Sequence, residues 1–471
     1  MKRQALATLV FLSAAASAQA QNSTVEDLKL RAIERRGVEA IIWGMPAVNY
    51  DLMLQAMITA AKGAPNQIVY WSRLPDWKNQ TLTPNPDSIY LMPFINTKDV
   101  GPVVIEIPPA DNGSINGTIM NVWQTPLEDV GPAGVDKGAG GRYLVLSPGY
   151  RDKVPEGYIA LPSETYEGYA LLRSILRGGS DADIAEAAAY GRRIRVYPLS
   201  QAANPPATKF VDAIDVLFDA TIPYDLRYFQ ALDRVVQQEP WLTRDKAMID
   251  QLKSIGIEKG KPFNPSETTQ KALEAAAADA HALFEGKYES LFDGTPYFDI
   301  SRWVLPALPD YIKGSMSDYS DPDSYPVDSR GLVFTFAFFT PKRLGEGQYY
   351  LMTIKDKDGA AFDGPSTYRL NVPANAPVRL YWSATIYDRA THALIRGMPR
   401  ASRSSQNVGL QKNADGSIDV YFGPSAPIGK ESNWVPTSPN GRFEVLFRFY
   451  GPEKALFDKT WKLPDVEKVS Q

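Results

Sequence analysis

The hexapeptide Asn85-Pro86-Asp87-Ser88-Ile89-Tyr90 sets a carboxylate and a phenol behind a proline that constrains the loop. With both side chains turned to one cavity, Asp87 could act as general base or hold a substrate hydroxyl while Tyr90 donates a hydrogen bond. The plainer account is that Asn85 and Asp87 cap the loop's own amides. A second group runs over residues 379–387 and leaves at Asp388. Leu380, Trp382, Ala384 and Ile386 alternate onto one face, which reads as core, and Tyr381, Ser383, Thr385 and Tyr387 onto the other. The latter face has the composition of a polar pocket floor, or more simply of a solvated sheet face. A third group joins Asn433-Trp434-Val435-Pro436 to Arg448, which falls opposite Phe443, Val445, Phe447 and Phe449. Arg448 could clamp an anionic ligand. The simpler expectation is a salt bridge to Glu444 or to a neighbouring strand.

What the rest of the chain lacks narrows that chemistry. The 471 residues include no cysteine and two histidines, His281 and His392, so thiolate sites and a three-histidine site are excluded. No Gly-x-Ser-x-Gly, Ser-x-x-Lys, His-Glu-x-x-His or phosphate-loop pattern occurs. Carboxylates, hydroxyls, Lys and Arg remain. Asp318, Asp321, Asp323 and Asp328 crowd around Pro322 and Pro326, but without the glycine of an EF-hand turn they read as a solvated acidic linker. No metal or cofactor is expected. Fifty basic against 54 acidic residues give a charge of −4, the wrong sign for nucleic acid.

The first residues form a leader: Lys2 and Arg3, an apolar core over residues 6–16, then Ala18-Gln19-Ala20 before Gln21. Residues 1–20 are accordingly expected to be a signal peptide and the mature protein periplasmic or secreted. No later stretch approaches the length of a membrane span.

The elements that must position these groups change grammar along the chain. Ser23-Thr24-Val25-Glu26 predicts a capping box and an N-terminal helix, interrupted at Gly44-Met45-Pro46 and resumed to about residue 61. Residues 67–146 are short β-rich runs bounded by Pro, Gly and Asn. Helices are predicted over 165–176, 181–194, 226–236, 245–255 and 267–283. Strands return over 332–339, 349–354, 378–387, 418–422 and 442–450. The expected division is 21–62 for N-terminal helices, 63–162 for a first β-sandwich, 163–313 for a helical connector and 314–471 for a second sandwich.

The succession Tyr381 to Asp388, Asn413-Ala414-Asp415-Gly416-Ser417, Asn433-Trp434-Val435-Pro436 and Arg448-Phe449-Tyr450-Gly451-Pro452 resembles the bacterial family that ends in domain of unknown function 1214. Its usual partner, domain of unknown function 1254, is resembled by Trp43-Gly44-Met45-Pro46, Tyr50 and the Asn85–Tyr90 hexapeptide. The resemblance spans nearly the whole mature chain. It implies an α+β, mainly β, fold of two jelly-roll-like antiparallel sandwiches with helices between them, and little about activity. His392 follows a family motif and so joins the candidates for acid–base work.

The candidate catalytic residues are Asp87, Tyr90 and Asp388. The candidate ligand-binding residues are Trp43, Tyr50, Trp382, Tyr387, Trp434 and Arg448. The leading expectation is an exported envelope protein that binds, and in one version transforms, a small molecule or glycan in a cleft between the sandwiches. The alternatives are a non-catalytic homo-oligomeric scaffold and a hydrolase in which Asp87 works with a second carboxylate.

Overall fold

The computed structural model describes residues 24–338 and 340–469. Its first helix, Val25–Thr59, starts from a capping box one residue later than expected: the Thr24 hydroxyl accepts the Asp27 amide at 3.1 Å and the Asp27 carboxylate accepts the Thr24 amide at 2.8 Å. Ser23 lies outside the described residues. The expected break at Pro46 is absent, and the helix continues through it. Proline has no N–H, so the carbonyl of Ile42, four residues back, loses its helical donor. Gly331 packs onto that carbonyl so closely that a Cβ there would stand 2.7 Å from the oxygen. Gly331 sits in helix Val327–Phe336, where residues from Leu332 had been expected to form a strand. Every residue from Ser329 to Phe336 is buried, and burial on all sides overrides the β preference of Leu-Val-Phe-Thr-Phe.

The first sandwich has a six-stranded sheet in the order Phe210–Asp212, Gln67–Tyr70, Ile89–Asn96, Glu167–Ser174, Ile115–Asn121, Pro126–Val130. Facing it is a four-stranded sheet, Arg195–Pro198, Val103–Ile107, Gly141–Leu146, Ile159–Pro162. Pairing is antiparallel apart from one parallel edge pair in each sheet. Ile68, Leu91, Ile105, Tyr143 and Leu172 fill the space between. Glu167–Ser174 corrects the helix predicted over 165–176. Its Ala, Leu and Arg content favours helix, but a central strand buried on both faces carries a continuous apolar run rather than an alternation. The first sandwich therefore draws strands from well beyond residue 162. Helices Asp181–Gly191, Leu226–Gln238, Lys246–Lys253 and Glu267–Phe292 lie where the sequence placed them, the last running further.

The second sandwich pairs Gln348–Thr353, Phe443–Pro452, Val378–Asp388 and Ser402–Ser404 in one sheet. Trp434–Pro436, Ile418–Gly423, Tyr368–Val372 and Glu467–Lys468 make the other. Trp382, Ala384, Ile386, Phe443, Val445, Phe447 and Phe449 form its core as the alternation predicts. Leu380 does not join them. A register shift between Val378 and Tyr381 turns it outward, and it is 45% exposed.

A third apolar core joins the two sandwiches. The outer face of the six-stranded sheet (Met92, Tyr169, Leu171), the N-terminal helix, Phe284 and Tyr288 of helix Glu267–Phe292, and Met352, Tyr387 and Leu446 of the second sandwich pack as one cluster. The chain is thus α+β, with the sandwiches set against each other and the helices around their junction. Among the described residues no helix is long and apolar enough to cross a membrane.

Candidate functional site

Strand register assembles a polar floor at that junction. Tyr350, Arg448, Ser383 and Ser404 stand side by side across the four strands of the second sandwich's inner sheet. Leu446, Thr385 and Ser402 form the next row. On the first sandwich Tyr90, Arg173 and Asn116 are likewise in register. The face carrying Tyr381, Ser383, Thr385 and Tyr387 is therefore not solvated: all four are fully buried. The first sandwich and its loop cover it.

The Asn85–Tyr90 hexapeptide is what covers it most closely. The Asn85 side-chain amide donates to the hydroxyls of Tyr381 and Tyr450, each at 2.9 Å, and those two rings stack 4.4 Å apart. The Asn85 backbone amide donates to the Tyr90 hydroxyl at 2.8 Å. Tyr387 donates to the carbonyl of Pro84 at 2.7 Å. Arg448 donates to Thr385 Oγ1 at 2.9 Å, to the carbonyls of Thr83 at 2.7 Å and Pro84 at 3.3 Å, and to the Tyr387 hydroxyl. Asn85, not Asp87, caps the loop: its Oδ1 accepts the Asp87 amide at 2.9 Å.

The Asp87 carboxyl is left for other work. It is 5% exposed, faces Ser402, Ser404 and Arg448, and its Oδ2 has no hydrogen-bond partner. Burial pushes its pKa up to about 6, against the lowering influence of Ser402, Arg448 and Ser404. Burial also works against the charge on Arg448, but the oxygens of Tyr387, Tyr450, Tyr350 and Tyr90 outweigh it and hold the guanidinium above its ordinary pKa.

Arg448 does not pair with Glu444, contrary to the simpler expectation. Glu444 is two places along the same face, beyond Leu446, and is already engaged. It accepts from Tyr288 at 2.7 Å and lies 3.0 and 3.1 Å from His392 Nδ1. Arg389 packs over the Tyr288 ring at 4.4 Å and pairs with Glu285 and Glu289.

Above the floor is a cleft that holds about 930 Å³ of space when its open mouth is counted. Arg448, Arg173, Tyr350 and Thr83 form its polar end. Leu305, Ile312, Met316, Val333, Phe336 and Leu344 supply apolar wall. No Asp or Glu lines it among the described residues.

Asp87, Tyr90, Tyr387 and Arg448 thus come together around the floor, and the other candidates lie elsewhere. Asp388 forms a turn, accepting the amides of Ala390 and Thr391 at 2.9 and 3.1 Å, and leads the chain to His392 in the left-handed region at φ 55°. Trp43 donates to Asp245 at 3.0 Å and packs on Trp123 within the helical core. Tyr50 sits between Phe94 and Tyr169. Trp382 stacks on Phe447 inside the second sandwich. Trp434 donates to the Gly423 carbonyl at 2.8 Å, away from the cleft. Trp43, Tyr50 and Trp382 are packing residues because their strand or helix faces point into cores, and Trp434 is half-buried outside them, which motif position alone does not reveal. His281 stacks on Tyr224, and Asp318, Asp321 and Asp328 each pair with a lysine. Arg173 is the cleft residue that sequence reasoning missed. Its signal was a charged residue closing the apolar run Tyr169 to Leu172, read there as helix.

Residues 65–198 match the family model described as "Protein of unknown function (DUF1254)", and residues 347–454 match "Protein of unknown function (DUF1214)". Among solved structures the chain is similar to the VPA0106 protein from Vibrio parahaemolyticus, at 16% identity over 93% of this chain and 100% of that one, with a TM-score of 0.59. A likeness at that identity is one of fold. An uncharacterized protein from Burkholderia cenocepacia matches at 11% identity over 94% of this chain and 96% of that one, with a TM-score of 0.40. No curated protein matches.

Proposed function

The chain belongs to the family in which a DUF1254 region is followed by a DUF1214 region, and we propose that it is an exported protein that binds a small, largely apolar molecule in the cleft between its two sandwiches. The observation that carries this reading is a walled cavity whose one polar end is built from both sandwiches, Arg173 from the first and Arg448 from the second. Such a site exists only where the two bodies meet, and junctions of this kind are favoured pocket positions. A glycan receives less support, because Trp43, Trp382 and Trp434, the rings suited to stacking on sugars, are packed elsewhere. A carboxylate hydrolase receives less still, since it needs two carboxyl groups flanking the bond to be cleaved and none lines the cleft among the described residues.

Export rests on the leader at residues 1–20, which lies outside the described residues. N-terminal sequencing of protein recovered from the periplasm should begin at Gln21, and recovery of intact Met1 protein in the cytoplasm alone would contradict it. For binding, native mass spectrometry of protein from its own host should find a bound small molecule that is lost in Ile312→Trp, where the larger ring fills the cleft. Wild-type protein carrying no added mass, or a variant that retains it, would contradict the reading.

A further inference from the structure

Arg448 is 2% exposed, and the partners that hold it are neutral: the Thr385 and Tyr387 hydroxyls and the carbonyls of Thr83 and Pro84. It takes part in no ion pair among the described residues, and its Nε is buried without a hydrogen-bond partner. A guanidinium taken out of water is costly unless a counter-charge and hydrogen bonds replace the solvent. Asp87 faces it but lies beyond ion-pair distance, so the compensation on the loop side is partial. On the cleft side there is none from the protein, because no Asp or Glu lines the cavity among the described residues. A second guanidinium, that of Arg173, lines the same polar end, and the Tyr350 ring lies 5.3 Å from Arg448 Cζ. Away from this end the walls are mainly apolar, with Tyr311, Ser315, Thr340 and Gln348 as polar members.

Resting on the cleft-binding reading, we infer that the ligand is an acidic amphiphile: an anionic head group docks on Arg448 beside Tyr350, and an apolar body lies along the wall formed by Leu305, Ile312 and Phe336. The head supplies on the cleft side a counter-charge that the protein does not offer there, through charge-assisted hydrogen bonds of the kind guanidinium groups make with carboxylate and phosphate. The body takes the apolar surface from water. An ammonium head would meet like charge at the floor. An alcohol would fill the same space without answering the charge.

The test uses full-length mature protein and four ten-carbon probes below their micelle concentrations: decanoate, decyl phosphate, 1-decanol and decylammonium. Calorimetric titration should give decanoate or decyl phosphate roughly tenfold or more the affinity of decanol, the scale of one charge-assisted hydrogen bond. Which of the two binds more tightly identifies the head as carboxylate or phosphate. Decylammonium should bind most weakly. Arg448→Lys keeps the charge but loses the fork of donors and should narrow the acid-to-alcohol ratio, while Ile312→Trp should weaken acid and alcohol alike. Because the ratio is read first in wild-type protein, the inference stands or falls even where a variant does not fold. Equal binding of decanoate, decyl phosphate and decanol, or tighter binding of decylammonium, would overturn the acidic head and leave the cleft reading in place. Failure of all four probes to bind would overturn both.

Discussion

Glu444 and Arg448 stand on the same face of one strand, separated by Leu446, and each anchors a buried polar cluster of opposite character. Around Glu444 the polar groups largely answer one another: Tyr288 donates to it, His392 Nδ1 lies against it, and Arg389, over the Tyr288 ring, pairs with Glu285 and Glu289 and leaves only its Nε unpartnered. Around Arg448 they do not. Asp87 Oδ2, Ser383 Oγ, Ser404 Oγ and Arg448 Nε are all buried without a partner. The closed cluster ties helix Glu267–Phe292 and the His392 turn to the second sandwich. From the open one, Arg448 reaches the end of the cavity, while Asp87, Ser383 and Ser404 are not in its lining. Buried polar groups are normally satisfied, so several unpaired ones around a guanidinium that lines a cavity make that end the candidate place for a ligand. The difference teaches that burial and charge alone do not identify a site; incomplete pairing beside a cavity does.

The comparison breaks most readily at Glu444. Glu444→Leu should lower stability by about 3–5 kcal/mol, the range for removing one partner of a buried charged network. The thermal midpoint should fall by several degrees, with the preference among head groups unchanged. A small fall would mean that the closed cluster does not hold the fold.

Asp87 should behave in the opposite sense. Its pKa is raised from 3.8 to about 6, so the native state binds the proton more tightly than the unfolded chain does. Stability from this group is therefore present below about pH 4 and lost as pH rises to about 6, leaving a penalty above that. Asp87→Asn removes the charge and should stabilise the protein at pH 8 by roughly 3 kcal/mol at about 1.4 kcal/mol per pKa unit, with little effect at pH 4. Unfolding midpoints of wild type and variant at the two pH values check the sign. A variant less stable at pH 8 would contradict the assignment.

Tyr288→Phe removes one hydrogen bond to a buried carboxylate and should cost about 1.5–3 kcal/mol. Ser383→Ala lies at the bottom of the scale. A hydroxyl that makes no hydrogen bond loses none, so the change should fall within about 0.5 kcal/mol. A large loss at Ser383 would show that the open cluster is closed by ordered water in the free protein.

Much of this was legible in the chain. The alternation over residues 443–449 separated Arg448 from the sandwich core, and the hexapeptide brought Asp87 and Tyr90 to notice together. The partners of those residues were not legible. That Arg448 bypasses Glu444 depends on His392 and Tyr288, which reach Glu444 from 52 and 156 positions away. No local pattern encodes that competition. Arg173 was hidden because a strand buried on both faces loses the period-two signal. Helix Val327–Phe336 was hidden because packing on all sides displaced local propensity. Pro46 was read as a break because the neighbour that makes it tolerable, Gly331, is remote in sequence.

The division between a cluster that holds the fold and one that takes a ligand is tested most directly by the rise in thermal midpoint that saturating decanoate causes in wild type, Tyr288→Phe and Arg448→Lys. A ligand that binds only the native state raises the midpoint with the logarithm of its concentration over its Kd. Tyr288→Phe should start from a lower midpoint and keep the full rise. Arg448→Lys should show a clearly smaller rise than either wild type or Tyr288→Phe. A rise that survives in full in Arg448→Lys, or one lost equally from both variants, would contradict the account.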